Sequence, residues 1–341
     1  MGYRIAMFNH KGGVSKTTSV YNIGWMLSKM YNVLVVDMDP QCNLSALILG
    51  DNFEKYYIDE ATRFQNIKDG VKVAFEGKPQ PISAVSCFSP AKAPQLYLLA
   101  GHADLSGYEG ALSFAQTARN AIATLQNLPG SFSRLLELTE QKYNIDFTII
   151  DMNPSLSAIN QNAFILSDAF ILPTNPDPFS VMAITTLSRI LPTWVSWSQE
   201  CNQLFSDSAY PLPNVIPKFL GSLIQRFNVR NGRAAKPYRD NISEIKDQIS
   251  GVFFASLSKK GMVLDDYPQE IKLNQFCLDE IPDFQGLLPK AYDAGVPIFD
   301  LTEDDIKETG PVLTGMIQKR NMFLSQFSDL VEKIVSLLKL L

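Results

Sequence analysis

The 341-residue chain is poor in metal-binding and thiol chemistry: its histidines are His10 and His102, its cysteines Cys42, Cys87, Cys201 and Cys277. None of them form a close pair with metal-ligand spacing, which argues against a Cys/His zinc site, and four scattered cysteines make no disulfide framework. A long apolar run is also missing. The first ten residues, MGYRIAMFNH, lack the core of a signal peptide, and no stretch reaches the roughly 18 apolar residues of a membrane span. The expected address is therefore the cytoplasm. Gly2 is excluded as a myristoylation site because Ala6 stands where Ser or Thr is required. There is no basic excess either: 30 Lys and Arg against 35 Asp and Glu leave a net charge of −5. Binding to nucleic acid or an anionic membrane would then have to come from a local patch.

What is present is the composition of a folded globular protein, 46% hydrophobic and 19% charged. Short apolar runs at 3–8, 33–37, 95–99, 147–151, 169–174 and 219–225 alternate with longer amphipathic stretches. The runs lack the polar alternation of half-exposed strands, so they predict strands of a mostly parallel, twisted sheet buried on both faces by helices, an α/β fold. One domain over 1–341 is expected. The polar residues 50–93, with GKPQP and SPAKAP, predict an insertion, and 201–217 a surface connection. Met322, Phe323, Phe327, Leu330, Val331, Ile334, Leu337, Leu338 and Leu341 recur at helical spacing, which predicts an amphipathic helix over 321–341.

Directly after the first run comes Lys11-Gly12-Gly13-Val14-Ser15-Lys16-Thr17-Thr18, followed by a helical pattern. A polyphosphate needs backbone amides turned inward, which adjacent glycines permit, and the positive end of a helix. Lys16 then supplies charge to the outer phosphates and the Thr17 hydroxyl a ligand to Mg²⁺. The standard GxxxxGK[ST] pattern fails, because His10 and Ser15 stand where it has glycine; the variant KGGVxKTT matches. The blander reading is a glycine turn flanked by lysines.

This loop resembles that of the ParA/MinD family of P-loop ATPases, whose hallmark is the extra lysine, here Lys11. The resemblance implies a P-loop NTPase fold and an ATP-sandwich homodimer in which Lys11 reaches the phosphates held by the partner subunit. Asp37-Met38-Asp39-Pro40-Gln41-Cys42-Asn43 resembles the family's first switch, which implies Asp37 in the magnesium shell and Asp39 positioning the attacking water. Phe147 to Asp151 is an apolar run ending in a carboxylate, the Walker B arrangement, and Asp151 is expected to hold magnesium through water. Asn153-Pro154-Ser155 corresponds to the second switch, and the segment 172–178 is expected to be structural. For adenine the resemblance implies two late loops, Gln225-Arg226 and Ile281-Pro282-Asp283; plain sheet-edge loops are the alternative.

Six cations, Lys218, Arg226, Arg230, Arg233, Lys236 and Arg239, occur without an acidic residue from 218 to 239. Five of them, Arg226 set aside for the nucleotide, are the expected site for nonspecific DNA; a solvated basic face is the alternative. The terminal helix mixes Asp329 and Glu332 with Lys333 and Lys339, lacks the basic excess of a lipid anchor, and is expected to pack into the core. No cysteine pair lies near the second switch, which argues against an iron-sulfur reductase. The loop lies so close to the start of the chain that an extra N-terminal DNA-reading domain is not expected. The resulting expectation is a nucleoid-associated ATPase, using ATP and Mg²⁺, that segregates or positions cargo and is stimulated by a ParB-like or cargo-adaptor protein. An ATP-gated switch acting on a protein effector, and a MinD-like membrane positioner, are the competing readings.

Overall fold

A computed structural model describes residues 2–117, 125–204, 207–230 and 233–341. The first seven elements are β1 (Tyr3–Met7), α1 (Lys16–Leu27), β2 (Val33–Asp37), α2 (Asn43–Leu49), α3 (Phe53–Ile58), α4 (Ile67–Phe75) and β3 (Leu96–Leu99). There follow α5 (Glu109–Thr117), α6 (Leu128–Tyr143), β4 (Phe147–Asp151), α7 (Ala158–Ile165), β5 (Ala169–Thr174), α8 (Pro178–Leu204) and β6 (Lys218–Gln225). A short hairpin, β7 (Val229–Arg230) and β8 (Arg233–Ala234), leads into α9 (Lys236–Gln248), α10 (Phe254–Ser258), α11 (Gln269–Leu273) and β9 (Cys277–Ile281). The chain closes with α12 (Leu287–Ala294), α13 (Glu303–Ile306) and α14 (Gly310–Leu338).

Seven strands form one sheet in the order β3-β2-β4-β1-β5-β6-β9, every pair parallel. β2, β4 and β5 are buried along their whole length, the consequence of helices on both faces. One layer contains α1, α2 and α14; the other runs in contact from α4 and α5 through α6 and α7 to α8. The α/β fold with a parallel sheet is thus the one expected, and β1, which feeds the glycine loop, is central.

Three segments differ from expectation in detail. Residues 50–93 are built into the sheet's own connectivity: α3 and α4 belong to the crossover from β2 to the edge strand β3. Their polar composition hid this because α4 is short and fully buries only Ile67 and Val71, one turn apart, while Val73, Ala74 and Phe75 are only partly covered against the core. β9 was absent from the expected strands because Asp279 and Glu280 break its apolar run, as an edge strand allows. The terminal helix begins at Gly310, with Pro311 in its first turn where a missing N–H costs nothing. Its Phe323, Phe327, Leu330, Val331, Ile334, Leu337 and Leu338 are buried; Phe284 meets Phe323 edge-on and Phe299 packs tilted against Phe327. Gln326 and Lys333 donate to the carbonyls of Glu280 and Leu278, so α14 also covers the β9 edge.

Candidate functional site

The chain leaves β1 at the carboxyl end of the sheet, where ligands of open α/β sheets bind, and turns through the glycine loop into α1. Gly13 has φ +72° and Ser15 φ 62°, both left-handed. Ser15 pays about 1 kcal/mol for a conformation glycine adopts freely. It also offers α1 no side-chain cap, and the first turn has no acidic residue. The helix therefore presents unpaired N–H groups and an uncompensated positive end toward an anion. Lys16 is buried, its ammonium donating to the Lys11 carbonyl at 3.2 Å. Desolvation pulls its pKa down to about 8, against the raising influence of Asp151 and Asp39. A buried ammonium without a tight ion pair is suited to an incoming phosphate.

Two carboxylates lie side by side under this loop, because β2 and β4 pair with Asp37 opposite Asp151. Burial, then the neighbouring Asp37, hold Asp151 well above the usual carboxylate range, and Thr17 and Lys16 offset this only in part. Neither Asp151 oxygen has a hydrogen bond of good geometry. Orphaned, buried carboxylate oxygens next to the Thr17 hydroxyl fit a magnesium shell completed by phosphate and water. Among the described residues no three acidic, thiol or imidazole groups form a metal cage by themselves.

Asp37 behaves differently from the expectation of a magnesium residue. Its Oδ2 accepts from the Ser45 amide at 2.8 Å and the Ser45 hydroxyl at 2.7 Å, and its Oδ1 from the Asp39 amide at 3.2 Å. Burial pushes its pKa up to about 6 despite these bonds. Asp39 faces an open cleft of about 670 Å³ that also holds Lys16, Thr17 and Thr18.

The far wall of the cleft comes from the late loops: Gln225, Arg226, Pro282 and Asp283 all line it. The Gln225 amide is bonded to the Ser19 hydroxyl at 2.7 Å, and Arg226, at φ 60°, donates to the Gly13 carbonyl at 3.2 Å. Both brace the glycine loop. Sequence reasoning missed Asn43, Leu47, Phe284 and Tyr292, which share the lining. Tyr292, a large side chain left half exposed on α12, supplies a ring wall, and the signal for it was only its place in the second turn of the helix that follows the Pro282 loop.

Lys11 turns away from the cleft. Its ammonium donates to Asn175 Oδ1 at 2.7 Å and Ser180 Oγ at 3.2 Å and pairs with the Asp177 carboxylate, in the segment 172–178 and the start of α8. That segment, expected to be structural, thus holds a predicted site residue. Phe179 and Met182, beside it on α8, are 69% and 67% exposed.

The expected DNA cluster divides. Lys218 opens β6 at the amino end of the sheet, bonded to the Gly261 carbonyl at 2.6 Å. Seven residue steps of about 3.3 Å each, or about 23 Å, separate it from the site end of the strand, so it does not belong to the patch. Lys236 and Arg239 are exposed on the first turns of α9. Arg230 and Arg233 face each other in the β7–β8 register; their side chains lie outside the described residues. Among the described residues no helix is long and apolar enough to cross a membrane.

The AAA domain family matches residues 2–203. The chromosome partitioning protein ParA of Caulobacter vibrioides is 30% identical over 188 residues, 55% of this chain and 61% of that protein. The chain spans 50–61% of the length of the first curated relatives it matches. Protein DIP2308 of Corynebacterium diphtheriae, 22% identical, superposes with a TM-score of 0.67 over 86% of this chain and 97% of that one. A putative plasmid partition protein of Borrelia burgdorferi bound to AMPPNP, 18% identical, does so with a TM-score of 0.56 over 96% and 100%. These two likenesses establish the fold.

Proposed function

This chain belongs to the ParA/MinD-type P-loop ATPases, and from that premise we propose that it binds and hydrolyses ATP in order to segregate or position a DNA or protein cargo. The observation that carries the proposal is a buried lysine at the uncapped start of α1, set over a pair of adjacent carboxylates and open to a cleft large enough for a nucleotide.

In this reading the amides of Gly12 to Thr18 and the Lys16 ammonium cradle the phosphates. Thr17 and Asp151 would hold Mg²⁺, which when bound neutralises phosphate charge and polarises the transferring group. Asp39 orients the attacking water. The base lies toward Pro282, Asp283 and Tyr292, with Gln225 and Arg226 stiffening the loop under the phosphates. Lys11 leaves Asp177 to complete the site of a second copy. The exposed Phe179 and Met182 beside it support a dimer face there. The dimer would bind DNA without base recognition through Lys236 and Arg239, joined by Arg230 and Arg233, and a ParB-like or cargo-adaptor protein would speed hydrolysis and release. Nucleoid association follows from that DNA binding.

An ATP-gated switch acting on a protein effector is the second reading. It is favoured by the loss of Lys218 from the patch and by Asp240, Glu244 and Asp247 farther along α9. A membrane-positioning role has little support, since the apolar side of α14 is already buried.

The deciding experiment is fluorescence anisotropy of a random-sequence duplex titrated with the protein in Mg-ATP and in Mg-ADP, at two salt concentrations. Salt-sensitive binding confined to ATP is expected. No binding in either nucleotide, with ATP-dependent dimerisation intact, would overturn the DNA role and leave the effector switch.

A further inference from the structure

The Asp37 carboxylate has an occupation that a magnesium residue would not need. Ser45 gives it two hydrogen bonds from the start of α2, through its amide and its hydroxyl. The same hydroxyl accepts from the Gly101 amide at 2.9 Å, just past the end of β3. The Gly101 carbonyl in turn accepts from the Tyr57 hydroxyl of α3 at 2.8 Å. On its other side Asp37 accepts from the amide of Asp39, whose own Oδ1 takes the Gln41 amide at 2.9 Å.

The centre of this chain is shielded: Asp37 and Ser45 are fully buried, Gly101 is buried, and Asp39 is nearly so. There is no spare room. A Cβ placed on Gly101 would stand 2.9 Å from the Asp37 carboxyl carbon. The loop so held includes Cys42 in the left-handed region, at φ 54°, directly before α2. Such a conformation on a residue with a side chain persists only where its surroundings over-determine it.

We propose that Asp37 is a positioning residue: through Ser45 and Gly101 it clamps the loop from 38 to 45 so that Asp39 faces the cleft, and it is not a magnesium ligand. The clamp ties the catalytic loop to α3 and β3, so the crossover that follows β2 sets the geometry of Asp39. The inference rests on the ATPase reading for its kinetic consequence and on hydrogen bonding alone for its structural one. Asp151, neither of whose oxygens has a hydrogen bond of good geometry, is left as the acidic partner of the metal.

Three variants separate the alternatives: Asp37→Asn, Ser45→Ala and the two combined. Asn can keep the two Ser45 bonds only by turning its NH2 toward the Asp39 amide, so it cannot satisfy all three donors, and Ala removes the hydroxyl that joins Asp37 to Gly101. A clamp predicts that each single variant binds a fluorescent ATP analogue within about twofold of the wild type while kcat falls about tenfold, because a small misplacement of a catalytic group is costly. It predicts that the double variant is no worse than the poorer single one, the mark of residues acting as a unit. It predicts an unchanged Mg²⁺ concentration for half-maximal turnover, and recovery of kcat in Ser45→Thr, which keeps the hydroxyl. A Mg²⁺ requirement raised tenfold or more in Asp37→Asn, with Ser45→Ala turning over normally, would return Asp37 to the metal shell and overturn the proposal.

Amide hydrogen exchange of the nucleotide-free protein reads the clamp apart from catalysis. Faster exchange at Asp39 or Ser45 in Asp37→Asn, and at Gly101 in Ser45→Ala, is expected. Unchanged exchange there would refute the clamp, and an absence of turnover in the wild type would refute the ATPase reading alone.

Discussion

The two sides of the cleft were assembled by different means. On the early side, β1, β2 and β4 deliver Lys16, Asp37, Asp39 and Asp151 to one place, the carboxylates at or just beyond the carboxyl end of a strand and Lys16 at the start of the helix that follows the glycine loop. On the late side, six cations adjacent in sequence end up in separate environments: Lys218 at the opposite end of β6, Arg226 against the glycine loop, and Lys236 and Arg239 on a helix surface. Residues far apart in sequence converge when each terminates a parallel strand. Residues close in sequence disperse when a strand runs between them, because every residue of strand carries the chain about 3.3 Å onward.

The largest effect that bears on this contrast is structural. The late wall is held down by α14, so Phe327→Ala, which empties a buried ring site between Phe284 and Phe299, should cost about 3–5 kcal/mol of stability, read by denaturant unfolding. A loss under about 1 kcal/mol would show that α14 is dispensable to that wall. Next, Lys16→Ala should weaken binding of a fluorescent ATP analogue about a hundredfold, since it removes the charge-assisted contact to the phosphates; unchanged affinity would place the nucleotide elsewhere.

A charge reversal then tests the dispersal itself. Lys236→Glu with Arg239→Glu should lower duplex affinity about tenfold at low salt, whereas Lys218→Glu should leave it unaltered. Equal losses from both would restore the single cluster. The smallest effect expected is that of pH. With Lys16 near 8 in the free protein, the ammonium is already present below that value and nucleotide affinity is flat. Above it the free lysine is neutral and binding must take up a proton, so affinity should drop about fivefold from pH 8 to pH 9. The fluorescence titration repeated in Lys16→Arg, whose guanidinium stays charged, should lose this slope.

Much of the early site was legible in sequence for a local reason: a glycine loop between a strand and a helix is a contiguous unit, and its chemistry needs few distant residues. The strands of the sheet were legible because burial on both faces leaves unbroken apolar runs, as in β2 and β5. β9 was not, since an edge strand tolerates Asp279 and Glu280. The crossover helix α4 was not, since it is short and only Ile67 and Val71 of it are fully buried. Asp177 as the holder of Lys11 had no local signal at all; it lies 166 residues away from its partner.

By itself the sequence determined the α/β class, the glycine loop with Lys11 and Lys16, and the strand-end position of Asp37 and Asp151, because these depend on periodicity and on residues in immediate succession. The tertiary structure alone decided which of those carboxylates stays free. Asp37 and Asp151 end equivalent apolar strands and are paired in register, yet Asp37 is met by Ser45 from α2 and Asp151 is met by nothing comparable. A carboxylate's role is set by the donors that surround it, and those come from whichever elements the packing brings alongside.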